Sequence, residues 1–179
     1  LFVDVRGSTT LAEQMSPMEY SKLINQFYTV ATSAMVWTDA LIDKIIGDQA
    51  AGMYVPGFAG SGHAQQALRA AQQIMKATGH DTSDGPWISL GAGVHTGVAF
   101  VGSLGSADGT SDITVLGDAA NTAARLSSLA GVGEILISNA TCSNLDLDTA
   151  KLEQRDLELK GKSERVSVCV LKQYEPAKS

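Results

Sequence analysis

Residues 41–55 have the sequence LIDKIIGDQAAGMYV, in which Gly47-Asp48 separates two short apolar runs. A Gly-Asp pair between two such runs is typical of a tight antiparallel hairpin. The pattern therefore predicts paired strands at 41–46 and 50–55, the length that buried strands usually have. A hairpin at this point favours an α+β fold over strict alternation of strand and helix.

Helical patterns flank the hairpin on both sides. Ser16 followed by Pro17 is a helix start, and apolar residues then recur at helical spacing to about Met35. A second helical pattern covers 64–75 and is closed by Gly79. Strands and helices that mix without strict alternation favour an α+β sandwich with an antiparallel sheet.

Further strands complete this sheet. Leu1 to Val5 is apolar and leads into the polar turn Arg6-Gly7-Ser8-Thr9. The other strands are predicted at 87–94 and 98–101, paired around Thr96-Gly97, and at 134–138, 152–159 and 165–171. Residues 102–110 are rich in Gly, Ser and Ala, and we expect them to project or be mobile. The order predicts a ferredoxin-like βαββαβ core with appended strands and helices and an antiparallel-rich central sheet.

The composition indicates one globular domain over residues 1–179. The net charge of −6 argues against nucleic-acid binding, which needs clustered Lys and Arg. Cys142 and Cys169 lack CxxC spacing, so we expect no disulfide framework and a cytoplasmic location. We expect no membrane segment in this stretch, because no apolar run approaches about 20 residues. The chain starts at Leu1, inside a strand-like run, so we expect a fragment of a longer protein whose anchors and partners lie elsewhere.

Two carboxylates are candidates for a metal site. Asp4 ends the first predicted strand, and Asp48 lies at the tip of the hairpin. Each alone is typical of an ordinary turn. If the strand end and the hairpin are neighbours in the sheet, the pair can share two Mg²⁺ ions about 3.5–4 Å apart.

Three further polar residues stand in apolar or small-residue surroundings. Lys44 interrupts the run 41–46, and regular alternation places it on the face of Ile42 and Ile46. It either extends to solvent, lies at an interface or has a specific partner. Asn121 and Arg125 share a face of the Ala-rich helix predicted to open at Gly117-Asp118, with Asp118 as its cap. They suit a phosphate ligand, although a solvated helix face is the ordinary explanation.

Other nucleotide-binding and catalytic motifs are absent from the sequence. There is no GxxxxGK(S/T), no GxSxG, no GG(D/E)EF-type turn, and no histidine spacing typical of metal ligands. His95 is predicted to be a strand residue with one hydrogen-bond partner.

Four stretches in a fixed order resemble the class III adenylate/guanylate cyclase catalytic domain. They are FVDVRGST at 2–9, KIIGD at 44–48, GVHTG at 93–97 and TVLGDAANTAARL at 114–126. Lys160-Gly161-Lys162 is similar to the late phosphate-binding segment of that family. The resemblance spans nearly the whole chain.

The resemblance implies a role for each matching residue. Asp4 and Asp48 would bind two Mg²⁺ or Mn²⁺ ions per site, assisted by the Val5 carbonyl. The β- and γ-phosphates would be bound by backbone N–H groups of Gly7, Ser8 and Thr9 and by the charge of Lys160. Lys44 and Thr114 would select the base. Asn121 would orient the ribose, and Arg125 would stabilise charge on the α-phosphate in the transition state.

The resemblance also implies an adenylate cyclase that forms 3′,5′-cyclic AMP and pyrophosphate from ATP at a head-to-tail homodimer interface. The metal-binding aspartates and the Asn/Arg pair would come from different copies of the chain. Thr114 replaces the Asp of many adenylate cyclases, and Asp112, two residues away, is the alternative reader of the base. A guanylate cyclase and a catalytically silent nucleotide-binding or dimerisation module are the alternative functions.

Overall fold

The structure is a computed structural model that describes residues 1–105, 111–162 and 164–173. Its helices are α1 (Ser8–Gln14), α2 (Pro17–Trp37), α3 (Pro56–Ala59), α4 (His63–Ala77), α5 (Asp118–Leu129) and α6 (Asn139–Cys142). Its strands are β1 (Phe2–Val5), β2 (Leu41–Ile46), β3 (Gln49–Met53), β4 (Leu90–Val94), β5 (Phe100–Gly105), β6 (Ser111–Leu116), β7 (Glu134–Ser138), β8 (Glu153–Leu157) and β9 (Val166–Lys172).

Seven strands form one sheet in the order β2-β3-β1-β4-β7-β9-β8. The β4–β7 pair is parallel and the other five neighbouring pairs are antiparallel. Helix α2 lies between β1 and β2 in the chain, and α4 lies between β3 and β4. The first four strands with these helices are the predicted βαββαβ core, so the predicted fold class is confirmed.

The hairpin of 41–55 is present, with one irregularity. Gly47 adopts φ +64° at its tip, a conformation that favours glycine. Ile42 pairs with Gly52 but Lys44 pairs with Ala51, so Asp43 is an extra residue in a β-bulge. Since Gly52 and Ala51 point to opposite faces, the prediction that Lys44 shares a face with Ile42 is wrong. The bulge interrupts the alternation on which that prediction was based.

Helices α2 and α4 cover one face of the sheet. Phe27 and Met35 of α2 and Ile74 of α4 are fully buried in a core that also contains Val3 and Val5. Helix α2 begins as predicted, because Ser16 and Glu19 form a reciprocal capping box. Strand β1 alternates, so Val3 and Val5 face these helices and Asp4 faces away from them.

Helix α5 covers the opposite face and lies directly on the backbone of β4. A methyl group on Gly93 would lie 2.4 Å from the Ala123 carbonyl oxygen and from the Ser127 nitrogen. A methyl group on Gly91 would lie 2.8 Å from the Ala130 carbonyl oxygen. Only a strand without side chains on this face allows a helix to approach so closely.

The predicted pairing of 87–94 with 98–101 is wrong. Strand β4 lies between β1 and β7 in the large sheet, whereas β5 pairs with β6 in a separate two-stranded sheet. Because β7 occupies the free edge of β4, the chain after Val94 has to leave the large sheet. The first part of the segment predicted to project, up to Gly105, belongs to β5, and 106–110 lie outside the described residues.

Two local predictions also need correction. The N-cap of α5 is Gly117 rather than Asp118, and Asp118 lies in the first turn with its carboxylate paired to Lys162. The polar turn predicted after β1 covers only Arg6 and Gly7, because Ser8 and Thr9 already belong to the short helix α1. In the part of the chain that the structure describes, no helix is long and apolar enough to cross a membrane.

The contact between Gly93 and α5 predicts a steric effect. Gly93→Ala should lower the free energy of unfolding by about 3 kcal/mol, or roughly 10 °C in Tm, because its methyl group overlaps the helix backbone. Thermal unfolding followed by circular dichroism measures the change. Gly57→Ala is the matched control, since its methyl group meets nothing within 4 Å. Equal Tm values for the two variants would contradict this account of the packing.

Candidate active site

The structure brings Asp4 and Asp48 together at one end of the sheet. The Val5 N–H donates to the Asp48 carbonyl oxygen at 2.9 Å, and Asp4 pairs with Gln49 in the adjacent strand. The hydrogen bond from Tyr28 to the Gly47 carbonyl oxygen, at 2.5 Å, attaches the hairpin tip to α2. The backbone therefore fixes the two carboxylates beside each other, as the sequence predicted.

The surroundings of Asp4 make its negative charge unfavourable. Burial raises the pKa of Asp4 above its usual value and the charge of Asp48 raises it further, while Arg6 opposes both effects. Arg6 forms an ion pair with Asp4, and the Ser128 hydroxyl lies 3.5 Å from the same carboxylate. A bound cation would relieve the repulsion between the carboxylates.

The donor set fits a divalent ion that binds together with a substrate. Among the described residues there is no cluster of three or more His, Cys, Asp or Glu side chains that could hold a metal. Mg²⁺ is commonly held by one or two carboxylates together with substrate phosphates. Asp4 and Asp48 provide two such carboxylates, so the residues present fit Mg²⁺ or Mn²⁺.

Arg6 connects this site to α5. Its guanidinium donates to the carbonyl oxygen of Ser128 at 2.8 Å and, at 3.4 Å, to that of Ala130. These carbonyl groups lie at the C-terminal end of the helix, where they lack intrahelical donors and the helix dipole favours a cation. One side chain therefore caps α5 and neutralises Asp4.

Gly7, Ser8 and Thr9 lie at the start of α1, next to the carboxylate pair. Gly7 is the N-cap with φ +70°, and the Ser8 hydroxyl donates to the Asp48 carboxylate. The first N–H groups of a helix have no intrahelical acceptor and carry partial positive charge. These backbone donors therefore lie beside the candidate metal ligands, as the phosphate-binding prediction requires.

Thr114 is linked to β2 by Asp43, a residue that the sequence reasoning did not select. The Thr114 hydroxyl donates to Asp43 Oδ1 at 2.8 Å, and the Val115 N–H donates to the same oxygen at 3.2 Å. Lys44, the next residue in β2, is exposed. Asp112 lies in β6, but its side chain is outside what the structure describes.

Arg125 lies against the segment Lys160-Gly161-Lys162. A methyl group on Gly161 would lie 3.4 Å from an Arg125 terminal nitrogen, so the guanidinium covers this turn. Lys160 is exposed, and Lys162 lowers the pKa of Asp118 through their ion pair. Asn121 is exposed one turn before Arg125. Among the residues that the structure describes, no hydrogen bond or ion pair joins Asn121 or Arg125 to Asp4 or Asp48.

The sequence matches the model of a known protein family. The model of the adenylate and guanylate cyclase catalytic domain matches residues 1–173. The chain belongs to this cyclase family. Cyclases of the family use divalent metal ions, in agreement with the donor set of Asp4 and Asp48.

Relatives of both nucleotide specificities are similar to the cyclase domain. The adenylate cyclase of Anabaena cylindrica is 31% identical over 186 residues, which cover 96% of this chain and 36% of that protein. The adenylyl cyclase CyaB from P. aeruginosa is 26% identical with a TM-score of 0.77, over 96% of this chain and 91% of the other. The guanylate cyclase domain of RhGC from Catenaria anguillulae, in complex with GTP, shares the fold with a TM-score of 0.77 at 24% identity. The match covers 96% of this chain and 93% of the RhGC domain. The chain spans about a third of the Anabaena enzyme.

His95, in the third stretch of the resemblance, has a structural partner. It follows the last residue of β4, and its Nδ1 lies 2.7 Å from the Ser138 hydroxyl. The hydrogen bond between Thr141 and Thr96, at 3.0 Å, holds the same loop to α6. Burial lowers the pKa of His95, which favours a neutral ring in the cyclase domain.

The metal assignment predicts a stability effect that does not require turnover. Asp4→Asn should raise Tm in EDTA, because burial and the charge of Asp48 disfavour an ionised Asp4 in the folded state more than Arg6 favours it. About 10 mM Mg²⁺ should stabilise the unaltered chain and not this variant. Asp84→Asn, at an exposed loop position, is the control and should behave as the unaltered chain does. Equal Mg²⁺-dependent shifts in all three proteins would refute the assignment.

Proposed function

We propose that this cyclase domain is an adenylate cyclase that converts ATP into 3′,5′-cyclic AMP and pyrophosphate at sites formed between two copies of the chain. The observation that carries the proposal is the position of Asp4 and Asp48 beside the first turn of α1. Carboxylates for a divalent ion and backbone donors for phosphate are thus within one cluster.

The triphosphate is bound mainly by groups of fixed position. Asp4, Asp48 and the Val5 carbonyl would hold two Mg²⁺ or Mn²⁺ ions, which supply positive charge for the 3′-hydroxyl and the leaving pyrophosphate. The N–H groups of Gly7, Ser8 and Thr9 bind the β- and γ-phosphates. Lys160 of the other copy adds positive charge to the same phosphates.

The reaction is an attack of the ribose 3′-oxygen on the α-phosphorus, and the 3′-hydroxyl proton is released to water because the proposed site residues include no obvious general base. The new bond closes the cyclic phosphodiester, the bond from the α-phosphorus to the bridging oxygen breaks, and pyrophosphate leaves with that oxygen. Asn121 orients the ribose, and Arg125 stabilises the charge that develops on the α-phosphate. The contact of Arg125 with the Gly161 turn holds the guanidinium near Lys160, so both cations act from the same copy.

Lys44 and Thr114 suit adenine better than guanine. The Lys44 ammonium donates to adenine N1, and the Thr114 hydroxyl accepts from the 6-amino group. Guanine presents an N1–H donor and a 6-oxygen acceptor at the equivalent positions, so both contacts would be mismatched. If Asp112 reads the base instead, its carboxylate also accepts from the 6-amino group.

Exposed apolar side chains support the pairing of two copies. Val98 is 98% exposed, Ile46 66% and Phe100 55%, and they lie on β2 and at the two-stranded sheet of β5 and β6. Phe100 pairs with Leu116, which is also exposed, and adjoining exposed apolar side chains often mark a protein–protein interaction site. A head-to-tail homodimer covers them and joins each carboxylate pair to an Asn/Arg pair. The free, buried Cys142 and Cys169 fit a cytoplasmic location.

The proposal predicts nucleotide turnover that depends on Asp48. With Mg²⁺ or Mn²⁺ the chain should form cyclic AMP from ATP in preference to cyclic GMP from GTP. Asp48→Ala should lower kcat/KM for ATP by about 100-fold or more, because one of two metal-binding carboxylates is lost. Asp84→Asn is the control and should retain activity. Preference for GTP would assign a guanylate cyclase, and nucleotide binding without turnover would assign a silent module.

A further inference from the structure

Thr114 alone cannot discriminate between the two purines, because a hydroxyl group can donate or accept a hydrogen bond. A hydroxyl that rotates freely would accept from the 6-amino group of adenine and donate to the 6-oxygen of guanine equally well. Selectivity at this position therefore requires a second group that fixes the hydroxyl hydrogen. The structure contains such a group.

Asp43 holds the Thr114 hydroxyl as a donor. Ionised carboxylates only accept hydrogen bonds, so the 2.8 Å contact with Oδ1 requires the hydroxyl hydrogen to point at Asp43. The lone pairs of Thr114 Oγ then remain for a ligand. The Thr114 side chain is 8% exposed, so packing also limits its rotation.

The backbone fixes Asp43 in turn. Its Oδ1 also accepts the Val115 N–H at 3.2 Å, so one oxygen holds two consecutive residues of β6. Asp43 is the extra residue of the β2 bulge, between Ile42 paired with Gly52 and Lys44 paired with Ala51. A bulge redirects a side chain that a regular strand would align with its neighbours.

We propose that Asp43 is a positioning residue for base selection, which makes the Thr114 hydroxyl an obligatory acceptor toward the nucleotide and so favours adenine over guanine. The inference rests on the proposed function, in which Lys44 and Thr114 contact the base. Asp43 and Lys44 are consecutive in β2, so this bulge supplies a donor directly, from Lys44, and an acceptor indirectly, through Thr114. This donor–acceptor pair matches N1 and the 6-amino group of adenine, and guanine meets the wrong polarity at both positions.

The test compares kcat/KM for ATP and for GTP in Asp43→Ala and Asp43→Asn. The Ala variant releases the hydroxyl hydrogen, so the ratio of ATP to GTP should fall about tenfold, with turnover of GTP rising relative to ATP. The Asn variant keeps an oxygen acceptor, because the Val115 N–H needs one at that position. Its ratio should stay within about threefold of that of the unaltered chain.

A double-mutant cycle tests whether Asp43 acts through Thr114. Thr114→Val removes the hydroxyl at nearly constant volume and should lower the ratio as Asp43→Ala does. Adding Asp43→Ala to Thr114→Val should then change the ratio no further. Thr114→Ser retains a hydroxyl group and should preserve much of the selectivity. If Asp43→Ala does not fold, Asp43→Leu, which has a similar volume and no acceptor oxygen, takes its place, and the same fall of about tenfold in the ratio is expected.

Two results overturn the inference. One is an equal fall in kcat/KM for both nucleotides in Asp43→Ala, which would mean that Asp43 only supports the structure. The other is a loss of selectivity in Asp43→Asn as large as in Asp43→Ala, which would exclude the acceptor oxygen as the cause.

The proposed function can fail separately from this inference. If the unaltered chain turns over neither nucleotide, calorimetry with α,β-methylene ATP and α,β-methylene GTP measures the same preference as a ratio of Kd values. A preference for the ATP analogue that falls in Asp43→Ala and is preserved in Asp43→Asn upholds the inference, although the enzyme assignment fails. A ratio that does not change, or the absence of binding, overturns it.

Discussion

The close contact between α5 and the bare backbone of β4 is the constraint on which the site depends. Gly91 and Gly93 let the helix approach until its backbone touches the strand. At that depth the C-terminal end of α5 reaches the end of β1 that carries Asp4, where Arg6 links the helix carbonyl groups to the Asp4 carboxylate. The preceding turns of the same helix carry Asn121 and Arg125. One packing contact therefore determines the position of residues from both halves of the candidate site.

Local signals in the sequence predicted most of the elements. The Gly47-Asp48 hairpin, the Ser16-Pro17 start of α2 and the glycine after α4 each depend on a few consecutive residues, so their patterns can be recognised directly. Strand pairing at β4 could not be predicted in this way. Its partner β7 begins 40 residues after β4 ends, and the alternation of a strand does not identify its neighbours.

The candidate site likewise contains residues that local patterns predict and residues whose position depends on distant parts of the chain. Asp4 and Asp48 lie at the ends of predicted elements. Their proximity could therefore be predicted once the first strand and the hairpin were assigned to neighbouring positions in one sheet. Asp43 was overlooked because a β-bulge breaks the period-2 pattern from which side-chain direction is inferred. Arg6 looked like a residue of a polar turn, and its two roles depend on α5, which is over 100 residues away in sequence.

The composite site is tested most directly by mixing two variants that are each defective in a different half. Asp48→Ala removes a proposed metal ligand, and Arg125→Ala removes the cation proposed for the α-phosphate, so each variant alone should be nearly inactive. Random exchange of subunits makes half of the dimers mixed, and each mixed dimer has one intact site. An equimolar mixture should therefore recover about a quarter of the activity of the unaltered chain. A mixture as inactive as its components, with subunit exchange verified by mass, would contradict a site formed between two copies.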